Sequence, residues 1–381
     1  MKKQREAPFR KSLHHKQNTM AKNVILSGGG TGGHIFPAIA IADALKEARP
    51  DTAISFVGAS DRMEMQRVPA AGYPITGLWI SGIQRKLTLK NLMFPFKLIS
   101  SLWKSHRIIK KNKPAVVIGT GGFASGPLLY AASRAGIPIV IQEQNSFPGI
   151  TNKILAKRAA VICVAFEGLE RWFPKDRIVL TGNPIRSSLL NNQPAKTEAC
   201  QSFGLDPERP VILVTGGSLG AASINKATKQ WVETFGNSAQ LIWQTGKVYA
   251  DSYVPTYSGR DGIWINAFID DMDKAYAAAD LVVARAGAST LSELCALGKA
   301  SVLIHSPWVA EDHQRKNADS LKINDAAAVV DENEIDTFPR VVNDLIGDAD
   351  KRQRIAAKAK AMGKPNATQD ILHEVLKLID R

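Results

Sequence analysis

The sequence predicts an α/β protein of two Rossmann-like, doubly wound parallel-sheet domains. Three observations carry that expectation. Short β-branched runs alternate with helical patterns in two series of about six. Glycine-rich turns follow runs in both series, where open α/β sheets bind ligands. A polar stretch with four prolines, Gly182 to Pro210, separates the series as a domain linker would. A chain of 381 residues is long enough for two domains. An apolar fraction of 45% and a charged fraction of 22% are ordinary for a globular protein.

Residues 1–19 are basic and lack the apolar stretch of a signal peptide. They are expected to be a disordered extension, or to precede the functional start at Met20. The first domain is expected over 20–182. Its strands are Val24–Leu26, Ile54–Val57, Ala115–Ile118, Ile139–Ile141, Val161–Val164 and Ile178–Leu180. The linker is placed at 183–210. The second domain is expected over 211–362, with strands Val211–Val214, Leu241–Trp243, Ile263–Ile265, Leu281–Val283, Val302–Ile304 and Ala328–Val330. The end, 363–381, reads as one amphipathic helix carrying Ile371, Leu372, Val375, Leu376 and Leu378, expected to return to the first domain.

Composition excludes several classes. Cys163, Cys200 and Cys295 lie far apart, giving no disulfide framework and no zinc spacing. No apolar run reaches the roughly 18 residues of a spanning helix. The net charge of +14 is unevenly spread. Between Gly82 and Pro114 stand Arg85, Lys86, Lys90, Lys97, Lys104, Arg107, Lys110, Lys111 and Lys113, with no acid. Leu92, Met93, Phe94, Phe96, Leu98, Ile99, Leu102 and Trp103 interleave with them. Such a mixture describes a helix resting on anionic lipid, or a solvated basic face over a buried stripe. No nucleic-acid-binding spacing accompanies it, so nucleic acid is not an expected partner.

The turns carry the chemistry. Ser27 to His34 reads SGGGTGGH and formally satisfies the dinucleotide fingerprint at Gly28, Gly30 and Gly33. A nicotinamide site also needs an acid at the end of the second strand. Ile54 to Ser60 holds none, and the loop lacks the Gly-Lys-Ser/Thr of a nucleoside-triphosphate loop. A second turn runs Gly119 to Pro127 and a third Thr215 to Gly220. In the second domain Gly287 precedes a helix expected to begin near Ser289–Thr290, whose N-terminus suits a diphosphate. Glu293, one turn in, is placed either to hold ribose hydroxyls or to complete a capping box.

The ordered motifs SGGGTGGHIFPAIAIA, GTGGFASGP, QEQNSFPGITNK, TGNPIR, TGGSLGA, FIDDM, RAGASTLSEL and EDHQRKNA resemble those of the MurG family of peptidoglycan glycosyltransferases, in glycosyltransferase family 28. The similarity runs from about Val24 to Ala318. It implies the GT-B fold, with two domains facing across a cleft. It implies a peripheral membrane enzyme moving GlcNAc from UDP-GlcNAc to the C4 hydroxyl of lipid I with inversion, giving lipid II. Another lipid acceptor, or nucleotide-sugar binding without catalysis, are the alternatives. No metal or other cofactor is implied, and Asp270-Asp271-Met272-Asp273 would be structural. Partners would be the two substrates, an anionic membrane surface through Gly82–Pro114, and other cell-wall synthesis proteins.

Carried over residue by residue, the resemblance places Glu293 on the ribose. Ser218, Ala288, Ser289 and Thr290 would face the diphosphate, with Arg186 nearby. Ile269 would lie beside the uracil, its backbone reading the base. Gln314, with His313 beside it, would hold GlcNAc hydroxyls. Thr31, Gly32, Gly33 and Asn145 would approach the donor from the first domain. Gly30, Gly121, Gly122, Phe123 and Ser125 would form acceptor and diphosphate loops. His34 is one candidate general base and Glu143 the other. Two positions depart from the family pattern: Gln142 replaces a frequent histidine, and Phe123 a frequent tyrosine.

Overall fold

The computed structural model describes residues 22–82, 92–186, 189–190, 193–236, 238–306 and 312–381. Residues 1–19, together with Arg85, Lys86 and Lys90 of the basic segment, lie outside the described residues.

The first sheet has seven parallel strands: β1 Asn23–Gly28, β2 Ala53–Ala59, β3 Ile75–Leu78, β4 Val116–Gly121, β5 Ile139–Glu143, β6 Val161–Val164 and β7 Ile178–Leu180. Their order is β3-β2-β1-β4-β5-β6-β7. The second sheet has six: β8 Val211–Thr215, β9 Gln240–Gln244, β10 Ile263–Asn266, β11 Leu281–Arg285, β12 Ser301–Ile304 and β13 Ala328–Val330. Their order is β10-β9-β8-β11-β12-β13. The six second-series strands match the sequence expectation. In the first sheet, β3 is the addition. Its Ile-Thr-Gly-Leu is short and only its leucine is fully buried, so it gives no continuous apolar run.

Each sheet is covered on both faces, which is why its central strands are apolar throughout. In the first domain, helices α1 (Gly32–Ala48) and α2 (Glu64–Ala70) share one core with Val24, Leu26, Phe56 and Ile118. The opposite core takes Ile109 from α3 (Phe94–Asn112), Leu128 and Leu129 from α4 (Ser125–Arg134), and Leu155 from α5 (Ile150–Leu155). The C-terminal helix, Ala367–Ile379, buries Ile371, Leu372, Val375 and Ile379 in the first-domain core beside α1. Each such side chain contributes about 1.5–3 kcal/mol.

The segment expected as a linker is partly structured. Lys196–Ser202 is a helix, and Leu189, Ala199, Cys200 and Leu205 are buried in a second-domain core. Polarity and prolines hid five apolar side chains, Ile185 among them, spaced too irregularly to read as an element. The chain crosses between domains twice, near Gly182 and near Lys364. A Cβ on Gly182, whose φ is +89°, would lie 2.4 Å from Lys364 Cβ. Gly182, Asn183, Met362 and Lys364 line one cavity of about 410 Å³ between the domains.

Candidate active site

Strand order reverses between β1 and β4 in the first sheet and between β8 and β11 in the second. A glycine turn follows each of those four strands. These are the positions where a doubly wound sheet opens a crevice at its strand C-termini.

In the first domain the two turns press against one another. Gly28 pairs with Gly121 after a register shift in the β1–β4 ladder. Gly122, at φ +81°, would place a Cβ 2.2 Å from Gly29 O, so no side chain fits there. Glu64, which the sequence reading did not single out, lies buried beneath the first turn. Its carboxylate accepts from Ala59 N at 3.0 Å and Gly30 N at 3.2 Å. A carboxylate at that point opposes a pyrophosphate and agrees with the missing ribose acid. It also corrects the expectation for Gly30, whose N–H is already taken. Ser125 is likewise committed: it is buried, and its hydroxyl donates to Gly122 O at 2.9 Å. Phe123 lies against Gly30 and Gly82, its ring 3.1 Å from a Cβ built on Gly30.

Thr31 is the extended N-cap of α1 and offers no side-chain cap. The first turn of α1 carries no acid, and the Gly32 and Gly33 N–H groups meet no acceptor among the described residues. They remain free for an anion or a sugar oxygen.

His34 follows them. Its Nδ1 is 2.9 Å from Thr120 O and 2.9 Å from Gln144 Oε1. Gln144 Nε2 donates to Thr120 O, Gln142 O and Gln142 Oε1, which fixes the amide orientation. Both atoms facing Nδ1 are therefore acceptors, so Nδ1 holds the hydrogen and Nε2 is the basic nitrogen. Nε2 has no partner among the described residues.

Glu143 has the opposite environment. It is 1% exposed. Oε1 accepts from Asn145 N and Nδ2 at 3.0 and 3.2 Å. Oε2 accepts from Gly149 N at 3.1 Å and Asn152 Nδ2 at 2.8 Å. Four donors of its own loop occupy this carboxylate. Its geometry is that of a loop organiser, with no access for a substrate hydroxyl.

In the second domain the helix Ala288–Leu297 starts after Gly287. It has no side-chain cap and no acid in its first turn, and the Ala288, Ser289 and Thr290 N–H groups meet no acceptor among the described residues. The capping-box alternative for Glu293 does not form. Glu293 Oε2 instead accepts from the buried Tyr276 hydroxyl at 2.9 Å, and Oε1 is 3.7 Å from Arg186. Burial pushes the Glu293 carboxyl above its usual range, while Arg186 pulls it back. Arg186 is half exposed. Arg285 is committed to Glu332 and Ser223. Ser218 is exposed on the third glycine turn.

Ile269 requires a correction. Its side chain is in the core and its N–H donates to Gln244 Oε1 at 3.0 Å. Only its carbonyl remains to read a base edge, and the neighbouring Phe268 ring is the half-exposed one. Asp271 caps the helix Met272–Ala278 and pairs with Lys274 at 2.9 Å. Among the described residues no three His, Cys, Asp or Glu side chains form a metal-binding group.

The two halves meet through Asn317, wholly buried in the helix His313–Ile323. Its Oδ1 accepts from Ser146 N at 3.1 Å and Ser146 Oγ at 3.0 Å. Its Nδ2 donates to Asn145 Oδ1 at 3.3 Å. Three residues before it, Gln314 Oε1 accepts from Ser306 N at 2.9 Å. A second junction runs from Gln142 through Asn183 to Ser292 Oγ. Asn145 thus sits at the first junction, with Gln314 on the helix that makes it, and Glu293 follows Ser292 at the second, where it pairs with Arg186.

The Glycosyltransferase family 28 N-terminal domain matches residues 24–164, and the Glycosyltransferase family 28 C-terminal domain matches residues 211–375. The chain belongs to glycosyltransferase family 28. Family 28 relatives extend the match over nearly its whole length. A protein of Flavobacterium psychrophilum is 52% identical, covering 93% of this chain and 97% of its own. One of Christiangramia forsetii is 52% identical, covering 94% and 98%. Both are named UDP-N-acetylglucosamine--N-acetylmuramyl-(pentapeptide) pyrophosphoryl-undecaprenol N-acetylglucosamine transferase. The crystal structure of Acinetobacter baumannii MurG superposes with a TM-score of 0.75 at 30% identity, covering 93% of this chain and 99% of that one. A Neisseria meningitidis UDP-GlcNAc 2-epimerase shares the fold at 14% identity and a TM-score of 0.66.

Proposed function

We infer that this family 28 enzyme transfers GlcNAc from UDP-GlcNAc to the C4 hydroxyl of the muramoyl sugar of lipid I, forming lipid II. The full-length identity to relatives bearing that activity in their names carries the reading. The four glycine turns at two facing switch points agree with it.

The donor lies mainly against the second domain. Glu293 accepts from ribose hydroxyls, and Ile269 O and Phe268 border the uracil. The N–H groups of Ala288, Ser289 and Thr290, the Ser218 turn and Arg186 face the diphosphate. Gln314 and Asn145 hold GlcNAc hydroxyls, with Thr31, Gly32 and Gly33 opposite. Gly121, Gly122 and Phe123 border the acceptor.

His34 Nε2 takes the proton from the C4 hydroxyl. That oxygen attacks C1 of GlcNAc from the face opposite UDP. The C1–O bond breaks, and its electron pair leaves on the β-phosphate oxygen. Helix N–H groups and a guanidinium stabilise the growing charge in place before reaction. A single displacement of this kind inverts the anomeric centre.

The acceptor's lipid puts the enzyme at a membrane surface, on the cytoplasmic face and peripherally. Helix α3 supports this. It buries Ser101, Ser105 and Ile109 but exposes Phe96, Ile99 and Trp103, with the Arg107 guanidinium 3.7 Å from the Trp103 ring centroid. No helix among the described residues is long and apolar enough to cross a membrane. Aromatic and basic side chains on one exposed face suit anionic lipid.

The test is UDP release by purified protein given UDP-GlcNAc, with and without a lipid I analogue. Release that depends on the acceptor, with a disaccharide product, is expected. Equal release without acceptor, or none with it, overturns the reading.

A further inference from the structure

One line of side-chain hydrogen bonds runs from His34 in the first domain to the donor helix in the second. His34 Nδ1 donates to Gln144 Oε1 at 2.9 Å. Gln144 Nε2 donates to Gln142 Oε1. Gln142 Nε2 donates to Asn183 Oδ1 at 2.9 Å. Asn183 Nδ2 donates to Ser292 Oγ at 2.9 Å, and Ser292 Oγ donates to Ala288 O at 2.9 Å. Ser292 and Ala288 belong to the helix Ala288–Leu297. The peptide unit that ends the line, between Ala288 and Ser289, also carries the Ser289 N–H assigned to the donor diphosphate.

Every link points the same way. Each of the three amides accepts on its oxygen and donates from its nitrogen. Turning any one over would set oxygen against oxygen at one junction and donor against donor at the other. Bonds arranged head to tail polarise one another. Gln142, Gln144 and Asn183 are 0%, 1% and 2% exposed, so bulk water does not compete for these groups. Gln144 keeps its orientation without the line, because Thr120 O and Gln142 O also accept from its Nε2. What the line adds is a tie between domains. Asn183 Nδ2 donates to Gln144 O at 3.0 Å as well as to Ser292 Oγ, so one amide grips the end of β5 and the second-domain helix together.

In-line transfer needs such a tie. The base comes from the first domain, the leaving diphosphate lies on the second, and the two act on opposite sides of C1. An error of about 1 Å between them costs about 10²-fold in rate. We propose that Gln142, Asn183 and Ser292 are positioning residues of the transfer, which hold His34 and the donor helix in register through one hydrogen-bonded line. They act through His34 and the helix rather than on a substrate. The proposal rests on the reading given above, in which His34 is the base and the Ala288 helix receives the diphosphate.

The experiment is a double-mutant cycle read by steady-state kinetics with UDP-GlcNAc and a lipid I analogue. Ser292→Ala removes one hydroxyl from a partly buried helix position. Gln142→Met keeps the length of the side chain without its polar end. Each should lower kcat about tenfold and leave both KM values within about twofold, as expected where the lost interaction counts in the transition state. The two together should also cost about tenfold, against about a hundredfold for independent sites, because either change cuts the same line. Ser292→Thr keeps the hydroxyl and should retain kcat. Effects that multiply would make the two residues separate packing contacts and overturn the proposal. So would an unchanged kcat in Ser292→Ala, with or without a lower Tm, or a Ser292→Thr enzyme as slow as Ser292→Ala. If Gln142→Met does not fold, the two Ser292 variants decide alone. If the unaltered enzyme transfers nothing, or His34→Ala keeps a near-normal kcat, the underlying reading fails, an outcome distinct from these.

Discussion

Nδ1 of His34 stands 2.9 Å from Oε1 of Gln144, across the seam between the two first-domain glycine turns. That contact sets the tautomer and leaves Nε2 as the basic nitrogen. His34→Ala should lower kcat by about 10²–10⁴ and abolish the rise of kcat/KM with pH on the acid side. Glu143→Gln should retain that limb, because its carboxylate serves the loop. A pH–rate profile of both variants decides between them. A His34→Ala enzyme with near-normal kcat and an intact acid limb would remove His34 from the mechanism.

Glu293 joins binding to a folding cost. Burial holds its carboxyl above the ordinary value, so the folded state keeps this proton more tightly than the unfolded chain does. Stability from this group is present below the unfolded value and is lost as pH rises through the raised folded value. Glu293→Gln should flatten that dependence and leave Tm at pH 8 unchanged or higher. The same variant should raise the UDP-GlcNAc KM about 10- to 100-fold, with the acceptor KM little changed. Calorimetry against pH and steady-state kinetics read the two effects separately. Equal changes in both KM values would refute the ribose assignment.

Asn317 is one of the buried links between the halves. Asn317→Ala removes the acceptor of Ser146 N and Oγ and releases Asn145. The expected cost is about 1–3 kcal/mol in unfolding free energy, together with a higher UDP-GlcNAc KM. Denaturant titration and kinetics on the same preparation check both. An unchanged KM would mean that Asn145 is positioned without this contact.

On α3 the exposed Phe96, Ile99 and Trp103 contribute little to the fold. Reversing charge at Lys104, Arg107 and Lys110 should weaken co-sedimentation with anionic vesicles several-fold, and added salt should do the same to the unaltered protein. Phe96→Ser with Trp103→Ser should also release it while leaving Tm within a degree or two, as expected of surface substitutions. Vesicle binding that survives both sets would leave α3 as an ordinary solvated face.

Local pattern was enough for the strands of both sheets except β3. Runs such as Val211–Thr215 are buried on both faces and read as continuous apolar segments, whereas Ile75–Leu78 is half exposed and contains a glycine. The glycine turns and His34 were legible because strand, turn and helix follow directly in sequence. Glu64 was not. It is 34 residues from Gly30, and only the pairing of β1 with β2 brings it under that turn. Tyr276 and Gln144 escaped for the same reason, since their roles are hydrogen bonds to distant partners. For Ile269 the sequence could not show that the side chain is taken up by the core and the N–H by Gln244.

The contact of Gly182 with Lys364 limits how the cleft can work. Two covalent crossings that touch at one place act as a ball joint rather than as an axle. The domains can tilt and twist about that spot, but they cannot slide apart without straining a chain. A few degrees of rotation there become ångströms at the far rim, where two substrates of very different size must be admitted. A side chain at position 182 would wedge the crossings apart and shift every distance across the cleft at once.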